Sequence, residues 1–437
     1  MTRLARRAGA VLGLTLALGS AAQAREATFA YVIQPGDTLY GLAQRGLNRL
    51  DDYRIVQSRN RIAEPRRLRV GARLIIPVRL LRTEPVEARL GAFRGQLTVT
   101  SGGKATSATR GAVLRAGDSL ATGPNAFGRL DLPDGSRLTL PSQSRIRIVR
   151  LQRTVLTGGV AREFMVEEGA GDSLVRPLRN PNDSYIVRTP MSVSAVRGTE
   201  FRVRYAAQHD RASTEVLEGA VEVQSGTTRA VVPRTYGLLS SVDGEAVSAP
   251  LPPAPVLRGF GGLQDEPSLA FDVEPPAAPR VYHAQLAADA GFVEVIGDVV
   301  SDLSRVTFDT VDDGVYFVRV SLIDPEGLES LPSTYAFERR LNALTPRAPA
   351  RETDGPTRRY LFRWDVEGAG ERTYRFQLRR EGAEGLPMVD ETGLTDQRIT
   401  LTDLPRGVYV WRVMSRTLLR GRLVEKWSAE QRFENGV

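Results

Sequence analysis

The sequence predicts a mainly β, multidomain protein: a small βααβ module, an all-β domain, and two β-sandwich repeats. Three observations predict it. Helical periodicity is confined to a short stretch near residues 39–59. Strand-type alternation broken by closely spaced glycine and Asp-Gly turns fills the region from about 90 to 245. The C-terminal third repeats itself, with Val273 and Val366, and Tyr316 and Tyr409, each 93 residues apart.

The first 24 residues read as a signal peptide. Arg3, Arg6 and Arg7 make a basic n-region, "AGAVLGLTLALGSAA" an apolar h-region, and Ala22-Gln23-Ala24 a small-x-small cleavage site after Ala24. The apolar run falls short of the ~20 residues a spanning helix needs. The expected mature chain starts at Arg25, lies in the periplasm and has no membrane span.

Composition excludes several function classes. The chain has no cysteine and two histidines, His209 and His283, which fall in different predicted domains. Thiol chemistry, disulfides and the common zinc ligand sets are therefore excluded, and no metal or other cofactor is expected. "QHD" at 208–210 lies between two predicted strands and reads as a polar loop without an activated nucleophile. No phosphate-cradling glycine loop precedes a helix. The expectation is a binding protein, not an enzyme. Net charge is +8, but only Lys104 and Lys426 are lysines among 59 basic residues, and these are scattered among 51 acids. That pattern suits mild attraction to anionic envelope polymers and argues against nucleic-acid binding.

The βααβ module spans 31–77, introduced by the β-forming run "ATFAYVI" and turned at Pro35-Gly36. Asp37 or Thr38 is expected to cap a helix in which Leu39, Leu42 and Ala43 share one face, with Gly46 at its end. Asp51-Asp52 offers a second cap before "YRIVQSRN", where Ile55 and Val56 are expected to face inward. "RLRVGARLIIP" then turns at Gly71 and ends as a strand at Pro77. The blocks "YVIQPGDTL", "NRI" and "LRVGARLIIP", in this order, resemble a LysM domain. That resemblance implies binding of N-acetylglucosamine-containing glycans, chiefly peptidoglycan and chitin, in a shallow groove between two loops. Carried over by position, the groove residues are Gly36, Asp37, Thr38 and Leu39, with Asn60, Arg61 and Ile62 opposite. The arginine-rich "EPRRLR" sets several cations near it.

Residues 90–245 form the all-β domain. In "LDLPDGSRLTL", Leu130, Leu132, Leu138 and Leu140 alternate across Asp134-Gly135, which predicts a hairpin or solenoid corner. "AGDSLATGPNAFGRLDLPDGSRLTLPSQSRIRI" and "VRTPMSVSAVRGTEFRVRY" resemble the FecR domain. Gly198 is expected to hold a backbone conformation closed to side chains, and Arg197 to make an ion pair or carbonyl bonds. The FecR resemblance implies envelope signalling, in which a receptor signal is relayed to a cytoplasmic sigma factor. "MTRLARR" before the apolar run is too short to bind such a factor, so protein interaction in the envelope is the favoured expectation.

A Pro/Gly-rich linker is read over 246–265, followed by sandwich repeats over 266–342 and 350–437. "GVYFVRV" at 314–320 matches "GVYVWRV" at 407–413, and the pattern is similar to fibronectin type III domains. Trp364, Tyr409 and Trp411 are expected in the core. The function expected is a non-catalytic envelope protein that holds peptidoglycan and presents β-domains to unidentified envelope proteins. The alternative is a periplasmic regulatory protein of the FecR type that relays or receives a receptor signal.

Overall fold

The computed structural model describes residues 28–259, 262–275, 280–354, 357–419 and 422–436. The predicted signal peptide and its cleavage point lie outside them. Among the described residues no helix is long and apolar enough to cross a membrane. The chain divides into two units: residues up to Glu84 with Thr154–Gly158, and Pro85–Arg153 with Gly159–Val437.

In the first unit, β1 (Thr28–Val32) pairs antiparallel with β2 (Arg73–Pro77), with Phe29 opposite Ile76 and Tyr31 opposite Leu74. Helices α1 (Leu39–Gly46) and α2 (Tyr53–Arg59) lie between them in sequence, giving the predicted βααβ order. The apolar face of α1 is buried as expected: Leu39, Leu42 and Ala43 join Val56, Leu74 and Ile76 in one core. Each fully buried Leu contributes roughly 1.5–3 kcal/mol relative to exposure.

Two local expectations need correction. Val56 is buried, but Ile55 is 41% exposed, because the inward face of α2 runs through Tyr53, Val56 and Gln57 at helical spacing. Asp52 does not cap α2 with its side chain; it accepts from the Arg49 amide at 3.1 Å and closes the short 3-10 turn before it. Gly46 ends α1 as expected, and a Cβ there would sit 2.6 Å from the Cβ of Leu156. Close packing, not turn geometry, is what a side chain at that position would violate.

The second unit begins with a closed barrel, whose strands within this unit run from Ala88–Arg94 through Ala246–Pro250. The segment 246–250, read as the start of a linker, forms its last strand and pairs with Tyr236–Ser241. The predicted hairpin is present: Phe127–Asp131 pairs with Arg137–Leu140, with Leu130 opposite Leu138. Its turn is tied by Asp134, whose Oδ1 accepts from the Ser136 amide at 3.1 Å. Leu130, Leu132, Leu138 and Leu140 all enter the barrel core with Phe164, Tyr185 and Phe201. Gly198 has φ +134°, and an added Cβ would lie 2.9 Å from Pro177 Cα. Arg197 takes the carbonyl option, donating to Pro181 O at 3.3 Å.

Two sandwiches follow. The first has a five-stranded sheet built on Val281–Ala287 and Gly314–Ile323, faced by the pair Leu269–Asp272 and Arg305–Phe308. The second has a sheet built on Arg372–Arg380 and Gly407–Leu419, faced by three strands including Thr357–Glu367. The central strands of the two copies begin at Gly314 and Gly407, so the sequence repeat is a repeat of structure. Trp364, Tyr409 and Trp411 are buried in the second core. The Tyr409 hydroxyl donates to Pro405 O at 2.6 Å, the tyrosine corner found in sandwiches of this class.

Candidate functional site

The structure brings together the two loops predicted to wall the glycan groove. The Leu39 amide donates to Pro65 O at 3.1 Å, which ties the start of α1 to the chain after α2. Gly36 is exposed in the first turn at φ +85°, with open space where a Cβ would stand. Asp37 is buried and accepts from Tyr31 Oη at 2.9 Å, the Gln34 amide at 2.8 Å and Arg45 Nη2 at 2.5 Å. Burial opposes its charge, but these donors together hold the carboxyl below its ordinary range. Thr38 is the helix cap, accepting from the Gly41 amide at 3.0 Å. Leu39 is 1% exposed and lies in the core.

On the second loop, Asn60 donates to Val56 O and Ile75 O, both at 2.7 Å, and accepts from the Ile75 amide at 2.7 Å. It fastens the loop to β2. Arg61 follows at φ +53° and is exposed. Ile62 is half-buried against the core, and its amide donates to Gln57 O at 3.1 Å. The side chains of Asp37, Thr38, Leu39 and Asn60 are thus engaged within the module. Gly36, Arg61 and part of Ile62 are what the loops present to solvent. Tyr40, 54% exposed and edge-on to Tyr53 at 6.4 Å, escaped the sequence reading. In sequence it is one aromatic beside a core leucine, and only the helix phase turns it outward.

The second unit holds a buried charge cluster between the barrel and the first sandwich. Arg202 contacts Glu215 at 3.0 Å, Glu329 at 3.2 Å and Asp172 at 3.3 Å. Arg204 also pairs with Glu329. His283 lies between Glu329, at 2.8 Å from Nδ1, and Asp298, at 3.2 Å from Nε2. Across the same junction the Ser142 amide donates to Asp298 at 3.3 Å, and Ala92 and Phe127 pack with Val295. Burial works against a charged imidazole, yet the two carboxylates raise His283 from 6.5 to about 10. Burial likewise opposes the Glu329 and Asp298 charges, but Arg202 and His283 for the one, and His283 for the other, hold both below the usual range. Sequence reading missed this cluster because each member alone looks like a surface charge.

A pH dependence follows with a definite sign. A group whose pKa is raised by folding stabilises fully below its unfolded value and loses that contribution as pH passes its folded value. The His283 contribution is therefore expected to be complete below about 6.5 and lost as pH rises to about 10. The carboxylate contribution is lost in the opposite direction, as pH falls below the ordinary carboxylate range. Thermal unfolding of the wild type and of His283→Gln between pH 6 and 10 checks this. The substitution should flatten the alkaline limb; an unchanged limb would assign it to other groups.

Residues 31–77 match the LysM domain family. The chain carries a LysM domain. Residues 118–222 match the FecR protein family, placing a FecR domain within the barrel. Both families are typically binding or signalling modules. No curated protein matches the chain. Among solved structures, a putative anti-sigma factor from Parabacteroides distasonis ATCC 8503 is similar at 20% identity, over 30% of this chain and 59% of its own, with TM-score 0.26. This chain therefore spans less than two-thirds of that protein. The chicken CNTN1 FN1–FN3 domains are similar at 12% identity, over 66% of this chain and 96% of theirs, with TM-score 0.22. Likenesses this low carry no argument, and the sandwich assignment rests on the strand pairing and tyrosine corner above.

Proposed function

We propose that the LysM domain binds an N-acetylglucosamine-containing glycan, chiefly peptidoglycan, and that the FecR domain and sandwiches serve protein interaction in the periplasm. The protein acts without catalysis in this reading. The observation that supports it best is the hydrogen bond from Leu39 to Pro65, which sets the two loops side by side. Buried Asp37 and hydrogen-bonded Asn60 hold them in shape, which leaves the backbone at Gly36 and the exposed part of the Ile62 side chain to meet acetamido groups. The FecR match also supports a second reading, a periplasmic regulatory protein that receives a receptor signal.

The test is sedimentation of the full-length protein with purified peptidoglycan. The full chain is used because Leu156 belongs to the LysM unit and packs against its core. Charge attraction by the arginines weakens with salt, since exposed charges are screened beyond about 8 Å at physiological ionic strength. A groove contact should survive added salt and be competed by chitin oligosaccharides. Ile62→Asp is expected to lower affinity at least tenfold, because a desolvated charge costs a few kcal/mol and about 1.4 kcal/mol is a factor of ten. Circular dichroism must show the variant folded. If the folded variant binds like the parent, or chitin oligomers never compete, the groove assignment fails.

A further inference from the structure

Charge is distributed unevenly along the chain. Residues 28–82, the LysM module and its flanks, carry eleven arginines against four acids and a net charge of +7, whereas residues 83–437 sum to −2. The four acids leave most of that charge unmatched. Asp37, the one acid of the first loop, is buried and paired with Arg45. Asp51 and Asp52 stand in the 3-10 turn between the helices, where Asp52 accepts from the Arg49 amide. That leaves Glu64 as the one acid in the stretch from the second loop to β2, and its Oε1 accepts from the Arg66 amide at 3.2 Å.

Four arginines lie on that stretch: Arg61, Arg66, Arg67 and Arg69. All four are exposed, and none makes an ion pair among the described residues. The backbone sets them beside the groove. Arg61 belongs to the second loop itself. Arg66 and Arg67 follow Pro65, whose carbonyl accepts from the Leu39 amide where the two loops meet. Arg69 precedes the turn at Gly71, whose amide donates to Ile33 O at 2.9 Å, just ahead of the first loop. Like charges gathered on one short stretch repel one another and favour a polyanion that lies along them. An exposed ion pair changes affinity by at most about fivefold, so the ligand must present several charges together. Guanidinium groups offer paired N–H donors that match carboxylates. Peptidoglycan supplies carboxylates at short intervals, on the stem peptides that leave every second sugar, whereas chitin has none.

We propose that Arg66, Arg67 and Arg69, with Arg61 of the second loop, form a cationic rim to the glycan groove that selects strands bearing ionised stem-peptide carboxylates over neutral strands. This selection rests on the groove reading above and adds to it the class of strand. The loops meet the acetamido sugars, and the rim meets the peptides that branch from them. Conversion of those carboxylates to amides then loosens the protein's hold with no change in the glycan.

The experiment is sedimentation of the full-length protein at low salt with purified peptidoglycan, and with the same polymer after carbodiimide coupling of its carboxylates to methylamine. Amidation should lower affinity at least tenfold. A variant combining Arg66→Gln, Arg67→Gln and Arg69→Gln changes only exposed side chains, and circular dichroism should show it folded. It should bind the native polymer at least fivefold more weakly than the parent does and the amidated polymer no differently, with chitin oligosaccharides still competing. A control removes as many exposed arginines from the second sandwich, by Arg351→Gln, Arg358→Gln and Arg363→Gln, and should bind like the parent. Equal binding of native and amidated polymer, a rim variant that keeps the parent's preference, or a control that loses it to the same extent would each overturn the rim. Failure of the groove reading looks different: chitin oligosaccharides then never compete, and the arginine-dependent binding that is left is charge attraction alone, which overturns the rim with it.

Discussion

Replacing Glu329 with Ala is expected to destabilise the second unit by about 3–5 kcal/mol, the range for removing one partner from a buried ion pair. The Glu329 side chain is fully buried and meets Arg202, Arg204 and His283, and Ser321 also donates to it. Its loss leaves Arg204 without its carboxylate and His283 with Asp298 alone. His283 is buried and cannot recover water from inside the junction. For a domain of 150–250 residues each kcal/mol moves the melting temperature by about 2–4 °C, so a shift of roughly 6–20 °C is expected. Hydrogen exchange should show the loss of protection first in Glu200–Ala206 and Val281–Ala287, the strands that carry the cluster. A double-mutant cycle with Arg204→Ala isolates the cross-domain pair, with a coupling of about 0.5–3 kcal/mol. A stability loss under about 1 kcal/mol would mean that water enters the junction and the charges are screened.

Replacing Trp411 with Ala should cost the second sandwich about 3–5 kcal/mol, the range for deleting a large buried ring. Trp411 is 1% exposed, and its ring centroid lies 5.2 Å from Phe362 and 5.7 Å from Phe376. The cavity would open at the centre of a core formed largely by aromatic residues, where no short side chain can move in. Trp411→Phe should be much milder, since the indole nitrogen makes no hydrogen bond among the described residues and its removal orphans nothing. Because the sandwich has its own core, sedimentation with peptidoglycan should be unchanged by Trp411→Ala. Loss of glycan binding in parallel with sandwich unfolding would refute the independence of the modules.

Much of the fold was legible because it is written in local periods. Leu130, Leu132, Leu138 and Leu140 alternate at the strand period across an Asp-Gly turn, and the hairpin forms in that register. Leu39, Leu42 and Ala43 recur at the helical period, and all three are buried. The spacing of 93 residues between Tyr316 and Tyr409 marked two copies of one sandwich before any strand was paired. The LysM and FecR motifs were legible for a related reason: each is a set of blocks that keep their residue types and order along the chain. Local patterns faltered where phase was ambiguous, as at Ile55 and Val56, adjacent apolar residues of which a helix can turn only one inward.

The sequence by itself determined the order of the modules, the strand and helix periods, and which loops of the LysM domain are candidates for glycan. Tertiary structure alone decided that Asp37 and Asn60 brace those loops from within, and that Gly46 is small because Leu156 packs on it. It alone decided that His283 is buried between Glu329 and Asp298, whose carboxylates raise its pKa. The physical reason is range. Backbone periodicity acts between near neighbours and leaves a repeating trace in the chain. An isolated charge leaves none, and its pKa and burial depend on partners that folding brings from far along the sequence.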